Sequence, residues 1–224
     1  MAATKKIASI DAPEASPVLT TPAYWAEACK HLVKKDRVMK RLIPQFGDAA
    51  LQTRRDAFTT LARSIVGQQA SVKAAQAVWE RFAALSRQLS PANVLKLKVD
   101  DMRAAGLSAR KIDYLVDLAL HFDNGKLHVK DWESMDDEAI IAELVDIRGI
   151  GRWTAEMFLI FYLQRPNVLP LDDPGLITGI SQNYFSGELV SRSDAREVAE
   201  AWKPWCSVAT WYIWRSLDPA PVAD

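Results

Sequence analysis

The sequence predicts an all-α protein, and three observations carry that prediction. Between residues 21 and 215 nearly every segment spaces its apolar residues at helical intervals, no run alternates apolar and polar residues as a half-buried strand does, and no strand–glycine–helix unit starts an α/β fold. About ten short helices joined by brief loops is the economical reading. With 224 residues and 49% apolar content, the chain can bury one sizeable core or two small lobes that share one.

Taken in chain order, residues 1–20 are polar, lack an apolar period and read as a flexible end, as does the tail 217–224. The N-terminal stretch lacks the apolar block of a secretory signal, and nowhere does the chain approach the roughly 18 to 20 apolar residues of a membrane helix. A cytoplasmic protein is the expectation. Thr21 followed by Pro22 reads as an N-cap with proline at the first helical position, and Ser90 followed by Pro91 repeats the device. The run Lys30 to Arg41 reads as a solvated helix face. Phe58, Leu61 and Ile65 form one apolar stripe, Val72, Ala75, Trp79 and Phe82 a second, and Ile112, Leu115, Val116 and Ala119 a third. Between the first two, Gly67 can close a helix and Ser71 can cap the next, which leaves Gln68 and Gln69 in the turn with side chains able to reach outward.

The segment DIRGIGRWTAEMF, Asp146 to Phe158, joins two more helices. Ile140, Ile141, Leu144 and Ile147 make the apolar face of the first, and Thr154, Met157, Phe158 and Phe161 fall on the second. Gly149 and Gly151 permit positive φ and leave backbone N–H groups uncovered at the start of a helix, where the dipole favours an anion such as a DNA phosphate. A tight helical connection explains the same two glycines without any ligand. Downstream, Asp173 before Pro174 reads as an N-cap aspartate with proline at N1. The functional reading uses that geometry, because the helix dipole and the N–H donors stabilise a fixed negative charge there. An enzyme that breaks a bond through a sugar cation needs such a charge, and one that adds water needs a base.

Eight tryptophans are many for this length. Trp202 and Trp205, flanking Pro204, read as core; others can line a pocket for a flat ring, and aromatic faces suit an extruded base, a cationic alkylated one above all. Lys plus Arg equals Asp plus Glu at 28 each, so net charge gives no argument for nucleic acid. Local basic candidates are Lys30 to Arg41 and Ser108 to Lys111. The two cysteines, Cys29 and Cys206, stand in no metal-ligand spacing with His31, His121 or His128, so reduced thiols and no zinc or iron–sulfur site are expected.

Taken together, SIVGQQASVKAA, the glycine hairpin, PLDDPGLITG and AWKPWCSVATWYIW, in that order, resemble the helix-hairpin-helix DNA glycosylase superfamily, specifically its 3-methyladenine DNA glycosylase II (AlkA-type) branch. The similarity runs from about Tyr24 to Arg215. It implies one helical unit, 21–216, whose lobes take in about 21–50 with about 180–216 and about 51–179, with the helix-hairpin-helix at 136–163 and an active-site cleft between the lobes. The family's catalytic aspartate falls on Asp173, with Asp172 in a structural or tuning role. The resemblance places Trp153, Trp214, Met157 and Phe158 in the base pocket. It makes Gln69 the side chain that enters the gap left by the flipped nucleotide, with Gln68 beside it. Phosphate contacts fall on Gly149, Gly151 and Arg152, with Ser108 and Arg110, and a structural Na+ or K+ on the main-chain carbonyls of Val145, Ile147 and Ile150. Trp153 stands where relatives similar to endonuclease III place the lysine that attacks the sugar, so no lyase activity is expected.

Three departures from the family pattern stand out. Arg148 replaces the usual proline before Gly149, which predicts a less rigid first turn. Gln69 occupies a wedge position that is often apolar, and Met157 one that can be aromatic. The chain also resembles the compact members, without an N-terminal β-domain. The reading is a monomeric, monofunctional glycosylase that needs no cofactor for catalysis. It would flip an alkylated purine out of double-stranded DNA and hydrolyse its N-glycosidic bond, in the cytoplasm or nucleoid of a bacterium or the nucleus of a eukaryote. Its rivals are a glycosylase for oxidised or deaminated bases, a damaged-DNA-binding protein without catalysis, and an unrelated helical scaffold.

Overall fold

The computed structural model describes residues 21–51 and 56–217, so the expectations for 1–20 and 218–224 lie outside the described residues. Those described form twelve α-helices and two 3-10 turns, with no strand among them, as the apolar spacing predicts. In order they are α1 (Trp25–Lys35), α2 (Arg37–Leu42), a 3-10 turn (Ile43–Phe46), α3 (Ala57–Gly67), α4 (Val72–Ala83), α5 (Pro91–Val94), α6 (Val99–Ala104), α7 (Ala109–Asp123), α8 (Asp137–Val145), α9 (Arg152–Phe161), α10 (Pro174–Tyr184), α11 (Arg192–Ala199), a second 3-10 turn (Glu200–Trp202) and α12 (Cys206–Leu217).

Short polar side chains start most of these helices. Asp56, Ser71, Ser90, Ser108, Asp136 and Asp173 each accept a bond from an amide in the first turn that follows, satisfying donors that have no intrahelical partner. Gly67 ends α3 and Ser71 caps α4, as the turn between them predicts. The first helix departs from expectation. It begins at Trp25 rather than after Thr21: Trp25 N closes a local turn on Pro22 O, and tertiary contacts fix that turn, with the Tyr24 hydroxyl donating to Gln164 O at 2.6 Å and its ring stacked on Trp205. At the other end α12 runs through Leu217, with the Ser216 hydroxyl bonded to Ile213 O, so the helix extends one residue into the expected tail.

Two sets of helices pack among themselves. In one, α1, α2 and α12 meet, and α10 lies along α12; in the other, α3 packs on α4, α7 and α9, and α8 on α9. A buried carboxylate ties the first set together: Asp36 caps α2 and accepts from the Tyr184 hydroxyl and the Trp202 indole. Trp202 is fully buried and Trp205 half-buried, in line with their reading as core. The stripes on α3 and α7 are buried at Phe58, Leu61, Ile65, Ile112, Leu115 and Ala119, but that on α4 is buried only at Trp79 and Phe82. Val72 is 74% exposed, because the first turn of α4 overhangs the core and all of 71–74 face solvent.

Candidate active site

Asp173 sits where α9, α10 and α12 converge. Its own N-cap geometry orients it, with Oδ1 accepting from Leu176 N at 2.6 Å and Pro174 presetting the first helical φ. Two indoles complete its surroundings: Trp214 Nε1 donates to Oδ1 at 2.7 Å, and Trp153 Nε1 to Oδ2 at 2.9 Å. The carboxylate is buried, and three donors hold it in one orientation. Gly175 leaves room for this arrangement, since a Cβ there would lie 3.0 Å from Asp173 Oδ1 and 3.2 Å from the Trp214 ring and would press on both. The neighbouring Asp172 is exposed and ion-paired with Arg192, outside this arrangement.

Aromatic surface borders the carboxylate. Trp153 is 46% exposed, and Trp214 stacks on Phe161 with centroids 5.7 Å apart and planes within 11°. Met157 is half-buried on the same helix as Phe161. Phe158 does not join them. It is buried between Trp132 and Tyr162, because one step along a helix turns a side chain by about 100°, here from beside Met157 into the core. Phe161, one turn beyond Met157 on the same face, is the ring that the sequence assignment missed, and that spacing could have found it.

The hairpin between α8 and α9 has the geometry its glycines imply at one position and an open surface at the other. Gly149 has φ +88°, and a Cβ there would lie 2.1 Å from the Tyr114 ring, so glycine is required twice over. Gly151 begins α9 with no side-chain cap, and nothing lies within 4 Å of the Cβ it lacks. The amides of that first turn thus have no side-chain cap and stand at the positive end of a helix dipole, where an anion is favoured. Arg148 does not loosen the turn. Its N–H donates to Asp117 Oδ2 at 2.8 Å, a bond proline could not make, and its guanidinium pairs with the same carboxylate. Arg152 is engaged on both sides: Nη1 and Nη2 bond to Glu138, and Nε donates to Glu156 at 3.1 Å. The second Glu156 oxygen is buried without a partner, and burial pushes that carboxyl up from its ordinary range.

The remaining expected contacts divide. Gln69 is exposed at the tip of its turn with φ +54°, whereas the Gln68 side chain turns back and donates to Gly149 O at 2.8 Å. Ser108 is occupied as the cap of α7, and Arg110 is exposed beside it. Of the three hairpin carbonyls, Ile147 O accepts from Ile150 N at 3.1 Å and keeps a second lone pair, while Val145 ends α8. Neutral carbonyls at the negative end of a helix dipole are chemically suited to a monovalent cation. Among the described residues no cluster of three His, Cys, Asp or Glu side chains could hold a metal ion, and no helix is long and apolar enough to cross a membrane.

In this chain a glycine hairpin leads into a helix whose tryptophan bonds the N-cap aspartate of the next helix. The family model described as the HhH-GPD superfamily base excision DNA repair protein matches residues 62–205. The chain belongs to this superfamily. Among HhH-GPD relatives, the DNA-3-methyladenine glycosylase 1 of Schizosaccharomyces pombe is 32% identical over 193 residues, covering 83% of this chain and 85% of that protein. The crystal structure of a DNA-3-methyladenine glycosidase from Bacillus halodurans superposes with a TM-score of 0.81 at 32% identity, covering 90% of this chain and 93% of the other. A 3-methyladenine DNA glycosylase of S. pombe in complex with abasic DNA matches with a TM-score of 0.73 at 31% identity, covering 88% of this chain and all of that one.

Proposed function

We propose that this HhH-GPD protein is a monofunctional DNA glycosylase that flips a 3-methyladenine-like alkylated purine from duplex DNA and hydrolyses its N-glycosidic bond, leaving an abasic site. The observation that carries the reading is the buried Asp173 carboxylate, held by the indoles of Trp153 and Trp214 beside the stacked Trp214–Phe161 pair. A purine alkylated on a ring nitrogen carries positive charge, so its glycosidic bond breaks with the electron pair going to the base and no strong general acid is needed. The aromatic faces of Trp153 and Trp214 favour such a cation over a neutral base. Asp173 stabilises the sugar cation through Oδ2, which among the described residues accepts from Trp153 Nε1 alone, and guides a water to the anomeric carbon, taking its proton on the way to solvent. With a tryptophan at position 153 in place of an amine, no Schiff base forms and the strand is not cut.

In this reading the first-turn amides of α9 that follow Gly151 hold a phosphate beside the lesion, with Gly149 shaping the turn whose Ile150 N bonds Ile147 O, and the α7 N-terminus at Ser108 and Arg110 holds another. Arg152, already neutralised by two carboxylates, orients α9 instead. Gln69 fills the space left by the flipped nucleotide. A Na+ or K+ on the carbonyls of Val145, Ile147 and Ile150 would draw in the phosphate without entering the chemistry, and the protein acts as a monomer on one lesion. The test is single-turnover release of free base from methylated duplex, comparing the unmodified protein with Asp173→Asn and measuring binding to an abasic duplex alongside. Release should fall by about 100-fold or more while binding persists. Two proteins that bind equally and release nothing would make this a damage sensor.

A further inference from the structure

We infer that Gln68 is a positioning residue that locks the wedge turn to the phosphate-binding hairpin, so that a phosphate seated on the hairpin fixes where Gln69 enters the duplex. The inference rests on the function proposed above and deepens it. The two glutamines of the turn differ in what they touch. Gln69 is exposed, while Gln68 Nε2 donates to Gly149 O at 2.8 Å, across 81 positions of sequence. Gly149 is the hairpin residue at φ +88°, and a bond to its carbonyl restrains the peptide whose N–H belongs to Ile150.

Helix α7 explains why one bond can couple the two loops. Lys111, Tyr114, Asp117 and His121 follow one another at i, i+3, i+6 and i+10 on one face, and each touches one of the loops or its flank. Lys111 Nζ donates to Val66 O at 2.6 Å, next to the wedge turn. Tyr114 underlies Gly149, Asp117 accepts from Arg148 N, and His121 Nε2 lies 3.1 Å from Asp146 Oδ2. Burial lowers the Lys111 ammonium from its ordinary value, consistent with a lysine turned inward to a carbonyl rather than outward to DNA. Both loops thus rest on one rigid helix, and Gln68 closes the remaining side of the circuit.

The test uses Gln68→Met, which keeps length and removes the donor. In the unbound protein, amide hydrogen exchange should rise in both 67–70 and 146–151 while α12 stays as protected as before; a rise confined to 67–70 overturns the coupling. In single-turnover base release, a lesion in a normal pair should react about tenfold more slowly, roughly the effect of one lost hydrogen bond. A lesion opposite an abasic site, where no pair must be broken, should slow by less than about twofold. Gln69→Ala, which removes the wedge itself, should show the same dependence on the opposite strand. Equal slowing of Gln68→Met on both substrates would overturn the inference by placing its effect at the reacting centre. If the unmodified protein releases base from neither substrate, the functional reading fails, while the exchange measurement still decides the coupling.

Discussion

Replacing Trp214 by phenylalanine separates the two contacts that the indole makes. The ring can still stack on Phe161, but the bond to Asp173 Oδ1 is gone. A hydrogen bond to a charged group contributes about 1.5–3 kcal/mol, so Trp214→Phe should slow base release by about ten- to a hundredfold and leave abasic-DNA binding nearly intact. Loss of binding with unchanged release would mean that the indole serves the pocket alone. Glu156 invites the opposite experiment. Its folded carboxyl is raised by burial, with Arg152 opposing, and one oxygen is unpartnered. A carboxyl raised on folding makes the native state bind more protons than the unfolded one, so stability is lost as pH rises from the unfolded value through the folded one. Glu156→Gln removes that loss. It should raise the melting temperature by a few degrees near pH 7.5 and leave it unchanged in mild acid; a lower melting temperature at pH 7.5 would show that the Arg152 pair outweighs the burial.

Between elements, the site depends on how closely α10 approaches α12. A Cβ on Gly179 would lie 2.3 Å from Ile213 Cγ2, so Gly179→Ala must push the helices apart one turn along from the contact of Gly175 with Trp214. Overpacking of this kind costs about 1–3 kcal/mol. Because the same displacement lengthens the Trp214–Asp173 bond, Gly179→Ala should also slow base release, and adding Ile213→Ala should recover part of both losses. Recovery of stability without recovery of rate would separate the helix spacing from the chemistry. This dependence also marks how far the sequence could be read. Asp173, the capping serines and Gly149 were legible because N-caps and positive φ are local demands on residue type. The neighbours of Asp173 were legible only through the order of motifs, since nothing local brings Trp153 and Trp214 to one carboxylate across 20 and 41 positions. Phe161 lies one turn beyond Met157, and that spacing already set it apart from Phe158, which packs against Trp132 and Tyr162. Arg152 read as a phosphate ligand because Glu138 reaches it from the preceding helix, although Glu156 at i+4 already offered a partner.

For the molecule as a whole, the formal net charge is zero, and both arginines of the hairpin are already paired with carboxylates. At the hairpin the uncapped donors are the first-turn amides of α9, while Arg148 faces Asp117 and Arg152 faces Glu138 and Glu156. This distinction has a measurable thermodynamic consequence. Binding to DNA weakens with salt in proportion to the phosphate charges that the protein neutralises, at about −0.9 in log K per log salt for each one. A neutral amide holds a phosphate by hydrogen bonding and dipole without neutralising it, so the hairpin contributes affinity and position with little ion release. Binding to an abasic duplex should therefore fall with salt at a slope no steeper than about −3, the equivalent of roughly three neutralised phosphates. A slope of about −6 or steeper would mean that the arginines leave their carboxylates to meet the backbone. In that case Glu138→Gln, which removes one of the two carboxylates holding Arg152, should tighten binding at low salt; if the amides dominate, the same variant should leave both affinity and slope almost where they were.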